Sequence, residues 1–121
     1  VKNPVNIKFV NAYKKYAIDH KLPNADKVVT NDPMEATYVG INMWKQAVEK
    51  AGSTDVDKVR AAMAGQSFAA PSGYTLTMDA ENHHLHKPVM IGQIRADGQF
   101  DVVYKSKDAI KAEPWSPYIP K

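Results

Sequence analysis

Cysteine is absent from the 121 residues, which excludes disulfide bracing, thiolate nucleophiles and thiolate metal ligands. The absence does not separate cytoplasm from periplasm, because exported domains also fold without bridges. Arginine occurs only at Arg60 and Arg95, and 16 basic against 13 acidic side chains give +3 with no cationic stripe. Phosphate recognition concentrates several cations on one face, so no nucleic-acid partner is expected. No apolar run is long enough to cross a bilayer, and no basic leader precedes an apolar segment. A glycine-rich phosphate cradle and a GxSxG elbow are also missing, which leaves Ser67, Ser72 and Ser116 to turns and surface. What remains is a chain with 44% apolar and 24% charged residues, the balance of a globular domain with a real core. It is short for a two-lobed receptor or a full enzyme, and a start at Val1 without methionine predicts part of a larger protein.

Three helices are predicted, over about 4–20, 33–51 and 55–64. The first opens at Asn3-Pro4, where asparagine caps and proline loses no intrahelical donor, and Val5, Phe9, Tyr13 and Tyr16 or Ala17 mark its apolar side. It frays at His20-Lys21 before Pro23. Asp26 to Asn31 reads as a linker or short strand. In the second helix Asp32 is the expected cap, Pro33 the first helical residue and Glu35 the acid that reciprocates to the cap amide. Helical spacing then lines up Met34, Tyr38, Ile41, Trp44 or Lys45 and Val48 before Gly52 stops the helix in the left-handed conformation. Thr54 is the expected cap of the third helix, with Val56, Val59 and Met63 inward, Arg60 at their edge and Gly65 beyond; the short connection predicts a helical hairpin or corner.

After Pro71-Ser72-Gly73 the period changes to two. Strands are predicted over about 74–78, 89–95 and 99–105, the last two joined through Ala96-Asp97-Gly98 with both Asp97 and Gly98 left-handed. Phe100, Val102 and Tyr104 share one face while Val103 takes the other, and Ile91 and Ile94 also point apart, which predicts a sheet covered on both sides. Pro114 to Pro120 is too rich in proline to continue a sheet and reads as a strap whose Trp115 and Tyr118 dock onto the body.

His83, His84 and His86 form the one concentration of metal-ligating side chains, with Asp79 or Glu81 as added oxygen donors. Their spacing lacks a helical pair, and adjacent histidines on extended chain diverge, so ring packing in a loop competes with a metal site. Asp26, Asp32 and Glu35 offer paired acids for proton transfer, but a helix terminus already accounts for the last two. Tyr38 and Trp44, like Tyr13 and Tyr16, fit either a ligand pocket or ordinary packing.

The stretches DPMEATYVGINMWKQAVEKAGSTDVDKVRAAMAGQSFAAPSG and TMDAENHHLHKPVMIGQIRADGQFDVVYKS, with FVNAYKKYA before them and PWSPYIP after, carry a resemblance. Over essentially its whole length the chain resembles the carboxyl-terminal part of urea or short-chain amide substrate-binding proteins of bacterial ABC transporters. Amide-sensing regulatory receptors look similar, and the broader group includes branched-chain amino-acid binding proteins. The resemblance implies a partial type I periplasmic-binding-protein fold of the α/β class, with helices followed by a β-hairpin and an extended carboxyl-terminal strap. It implies a periplasmic receptor that encloses urea or a small amide between two lobes, engages an inner-membrane ABC permease, uses no cofactor and catalyses nothing. Much of the ligand shell would come from the remainder of the parent receptor. Within this chain Glu35 and Tyr38 are the expected pocket-edge residues. The competing expectations are an amide sensor on the same scaffold and a metal-binding protein using His83, His84 and His86.

Overall fold

The computed structural model describes residues 1–120: three helices followed by two small antiparallel sheets, an α/β arrangement. Helix α1 (Pro4–Asp19) starts as expected, with the Asn3 side chain accepting from the Asn6 amide at 2.8 Å. The other end of that side chain donates to the Pro71 carbonyl at 3.0 Å, so one asparagine caps the helix and pins it to the 71–73 turn. A Cβ on Gly73, whose φ is +88°, would come 3.0 Å from the Asn3 amide nitrogen, which is why the turn needs glycine there. The apolar side of α1 is only partly covered: Ala17 is buried and Phe9 stacks obliquely on Tyr38, but Val5 and Tyr16 are exposed.

Helix α2 (Asp32–Ala51) is capped by Asn31, not Asp32: the Asn31 side chain accepts from the Met34 amide at 3.0 Å. Asparagine and aspartate compete closely for this position. Placing Asn31 there makes Asp32 the first helical residue and frees its carboxylate for a distant lysine. Glu35 does not turn back to the cap either. The buried stripe is Glu35, Val39, Met43 and Ala47, one residue away from the expected stripe, whose Tyr38, Ile41 and Trp44 are exposed. This helix is apolar over much of its circumference. Close packing on α3 and β1 selected the face with small Ala47 and left the bulky side chains outside. Gly52, at φ +59°, ends the helix as anticipated.

Asp55, not Thr54, caps α3 (Val56–Met63) by accepting from the Lys58 amide at 3.1 Å. The shift turns Val56 to solvent and leaves Val59 and Ala62 inward. Arg60 is exposed and pairs with Asp57 across one helical turn. The first sheet has the order β1 (Ser67–Ala69), β2 (Thr75–Met78), β3 (Leu85–His86), all antiparallel. The outer two are too short to show a period of two in the sequence. The core joins this sheet to α2 through Val39, Met43, Ala70 and Leu76, with Met63, Phe68, Tyr74, Met78 and Leu85 packed around them. Each large side chain buried there stabilises by roughly 1.5–3 kcal/mol.

The second sheet is the hairpin β4 (Met90–Ile94) with β5 (Phe100–Lys105), interrupted by a bulge between Ile91 and Gly92. In its loop only Gly98 has positive φ; Gly98 N–H bonds Arg95 O, and Arg95 N–H bonds Gln99 O. Asp97 instead spends its carboxylate on Arg95 and the Gln99 amide. The sheet is not covered on both sides: every residue from Ile91 to Lys105 is exposed. The strap is not docked either, since Trp115 and Tyr118 are 77% and 93% exposed. Residues 28–31 form no strand.

Candidate functional site

An open groove of about 810 Å³ runs between α1, the start of α2, the 71–72 turn and the chain from Lys87 to Met90. Its volume is that of a pocket for a medium-sized organic molecule. Glu35 forms its most buried polar wall. The Glu35 Oε1 accepts from the Ser72 amide at 2.6 Å, and Oε2 lies 3.7 Å from Lys87 Nζ. Lys87 also donates to Asp32 Oδ1 at 2.8 Å, so one cation sits between two carboxylates contributed by the first turn of α2. The three groups sum to one negative charge. Glu35 thus joins the helix to the turn and the 87–90 segment instead of closing a capping box, and it lines the groove. The Ser72 hydroxyl beside it is buried and has no hydrogen-bond partner among the described residues, an arrangement that proteins rarely leave unanswered.

Of the two expected pocket-edge residues, the structure brings only Glu35 to this groove. Tyr38 borders a smaller depression with Asn31, Pro33, Met34, Thr37 and Ile41, and its ring packs between Phe9 at 5.0 Å and Phe68 at 6.0 Å. Sequence reasoning missed Lys87, whose partners Asp32 and Glu35 lie more than fifty positions away. No local spacing announces such a pairing. Ser72 was visible only as a turn residue.

The histidine segment is organised around Asp79. The Asp79 Oδ1 accepts from the Glu81 and Asn82 amides at 2.9 and 3.1 Å, while Oδ2 faces His86 Nε2 at 3.0 Å. The His86 imidazole first, then the Asn82 and Glu81 amides, hold the Asp79 carboxyl at about 2, well below its ordinary 3.8. His83 stands at φ +57°, and the His84 amide donates to the Asn82 side chain. His83 and His84 are exposed while His86 turns inward to Asp79. Among the described residues no three His, Asp or Glu side chains come together to hold a metal ion, so the expected alternative of a three-histidine site is corrected by this divergence.

The profile of the periplasmic binding protein domain matches residues 1–121. The chain belongs to that family. The periplasmic binding protein domain is a non-catalytic, solute-binding class, and its description places it in the periplasm. Three helices and two antiparallel sheets fit a type I periplasmic-binding-protein-like fold. The domain is also similar to a protein of Geobacillus stearothermophilus named limonene hydroxylase, with 38% identity over 112 residues, or 92% of this chain. The chain spans 19% of the length of that relative.

Proposed function

We propose that this periplasmic binding protein domain is the carboxyl-terminal portion of a two-lobed receptor that delivers urea or a short-chain amide to an inner-membrane ABC permease. The observation that carries the reading is the groove-facing Glu35 carboxylate, held by Ser72 and balanced by Lys87. A neutral amide offers little apolar area, so its affinity must come from directed hydrogen bonds in a site dried by enclosure. Carboxylates at Glu35 and Asp32 accept from amide N–H groups, and Lys14 and Lys87 balance their charge along the groove, which suits a neutral solute. An open groove of about 810 Å³ needs a further wall to enclose so small a solute. The bare faces of β4 and β5 supply surface against which the rest of a longer receptor packs. Tyr38 belongs to the edge of the same solute region in this reading, through its contact with Phe9 of the groove.

Isothermal titration of the intact receptor with urea, acetamide, formamide, leucine and limonene tests the proposal. Saturable heat with urea or an amide, and none with leucine or limonene, is the expected result. Binding of leucine or limonene without any amide response would overturn it.

A further inference from the structure

The loop between β4 and β5 places Asp97 directly before Gly98, and both are tied to other residues of the same hairpin. The Asp97 Oδ1 accepts from the Gln99 amide at 3.1 Å, and Oδ2 accepts from the Arg95 guanidinium. Arg95 is itself held from its other side, with Nη1 3.4 Å from Asp101 Oδ1 on β5. The Gly98 amide donates to the Arg95 carbonyl at 3.0 Å, and the Arg95 amide donates to the Gln99 carbonyl at 2.8 Å. Arg95 therefore meets the Asp97-Gly98 pair twice, through its backbone carbonyl and through its guanidinium. Steric cover adds nothing: Gly98 stands at φ +76°, and beyond its chain neighbours no heavy atom of the described residues lies within 4 Å of where a Cβ would be. The Asp97 side chain is half-exposed, so water reaches it.

An aspartate carboxyl and the nitrogen of the next residue can close into a succinimide ring, and glycine at the second position leaves that nitrogen accessible. Closure forms a bond from the Gly98 nitrogen to Asp97 Cγ and removes the amide proton. One carboxylate oxygen leaves as water, with that proton and a second drawn from solvent. Water then opens the ring. Breaking the bond from nitrogen to Cγ restores aspartate, whereas breaking the bond to the main-chain carbonyl gives isoaspartate, whose chain runs through Cβ and Cγ and whose α-carboxylate hangs free. One water leaves and one enters, so no other reactant is needed. In the folded loop every participant is engaged. Closure has to take the Gly98 amide from the Arg95 carbonyl and turn the carboxyl away from the Gln99 amide. The departing oxygen must also accept a proton, and Arg95 fills that position with a donor that does not give its own proton up.

We propose that Asp97-Gly98 is an isoaspartate-forming modification site, and that Arg95 holds it in check while the hairpin is folded. The product bears on the groove. Isoaspartate adds a methylene to the main chain between Ala96 and Gly98, inside a loop closed by the hydrogen bonds from Arg95 to Gly98 and Gln99. Gln99 lines the groove, so lengthening the loop displaces part of the groove wall. The site stands on the loop geometry alone, whatever solute the groove takes.

Incubating the intact protein near neutral pH in heavy-oxygen water, followed by peptide mapping with chromatography and mass spectrometry, tests the proposal. Ring opening places heavy oxygen on residue 97, and the isoaspartyl peptide separates from its aspartyl isomer. The free peptide from Gln93 to Asp101 is the reference, because it keeps the sequence and lacks the folded hairpin. The parent protein should convert more slowly than this peptide. Arg95→Gln should convert about two- to fivefold faster than the parent, the range that an exposed ion pair supports, and Arg95→Lys, which keeps the charge without the planar fork, should fall between them. Amide exchange of β4 and β5 in the same variants reports whether the hairpin stays closed. Conversion of the parent as fast as the peptide would overturn the protection, and equal rates for parent and Arg95→Gln would overturn the role of Arg95. Faster conversion matched by faster exchange throughout β4 and β5 would overturn it as well, since the hairpin itself would then have been lost.

Discussion

Replacing Glu35 separates its role as a charge from its role as a shape. The side chain is 11% exposed, its Oε1 bonds the Ser72 amide at 2.6 Å, and its Oε2 lies 3.7 Å from Lys87. Glu35→Ala removes a hydrogen bond to a charged acceptor, worth about 1.5–3 kcal/mol, and leaves the Ser72 amide without its partner. The Lys87 contribution is small, because that ammonium retains Asp32 at 2.8 Å and stands 3.7 Å from Glu35, at the far end of ion-pair distance. The expected total is about 2–3 kcal/mol for alanine. Glu35→Gln keeps an oxygen for the Ser72 amide and loses only the charge, so about 1 kcal/mol is expected. Thermal unfolding followed by circular dichroism measures the difference, at about 3–6 °C per kcal/mol for a domain of this size. Guanidinium is the suitable denaturant for a second measurement, since the proposed function makes urea a candidate solute, and a bound solute stabilises the native state. Alanine within about 0.5 kcal/mol of the parent would refute the bridge, and glutamine as costly as alanine would refute the division between charge and shape.

Leu76→Ala should cost about 2–5 kcal/mol in guanidinium unfolding, because Leu76 is fully buried where β2 meets Val39 and Met43 of α2. Asn31→Ala should cost about 1 kcal/mol by the same measurement, whereas Asp32→Ala, at an exposed first helical position, should cost less; the reverse order would restore Asp32 as the cap. Asp79 titrates at about 2 in the native state against 3.8 ordinarily, so the unfolded chain takes up the proton first. Its stabilisation is complete above the ordinary value and disappears as pH falls toward the native one. Asp79→Asn should therefore flatten the loss of stability between pH 4 and pH 2, and an unchanged acid profile would show that Asp79 is not held by its neighbours.

The helices were legible because their signals are local. Asn3-Pro4, the Asn31 to Glu35 region and Gly52 mark their ends within four residues, and the errors there are one-residue shifts between chemically similar caps. The buried face of α2 was not legible, since Tyr38, Ile41 and Trp44 carry more apolar weight than Glu35, Val39, Met43 and Ala47. Side-chain volume, which the hydrophobic period does not register, decided which face could approach α3. Strands β4 and β5 announced themselves by alternation and by Asp97-Gly98, whereas β1 and β3 are too short to alternate. Glu35 was expected as a capping acid from its spacing and at a pocket edge from the resemblance; it lines the groove and closes no capping box. Its true partners, Ser72 and Lys87, are joined to it by the tertiary fold alone. The histidines attracted attention by density, but the turn around Asp79 points them in different directions.

The exposed hairpin has a practical consequence for handling the domain. The run from Phe100 to Lys105 combines Phe, two Val and Tyr on a two-stranded ribbon with open edges, the composition that recruits further strands into cross-β stacks. Asp101 and Lys105 are the charges that interrupt it, one near each end, and act as gatekeepers against fibril growth. Neutralising either should shorten the lag before thioflavin-positive assembly in concentrated solutions, so expression and storage of this domain depend on keeping both charged.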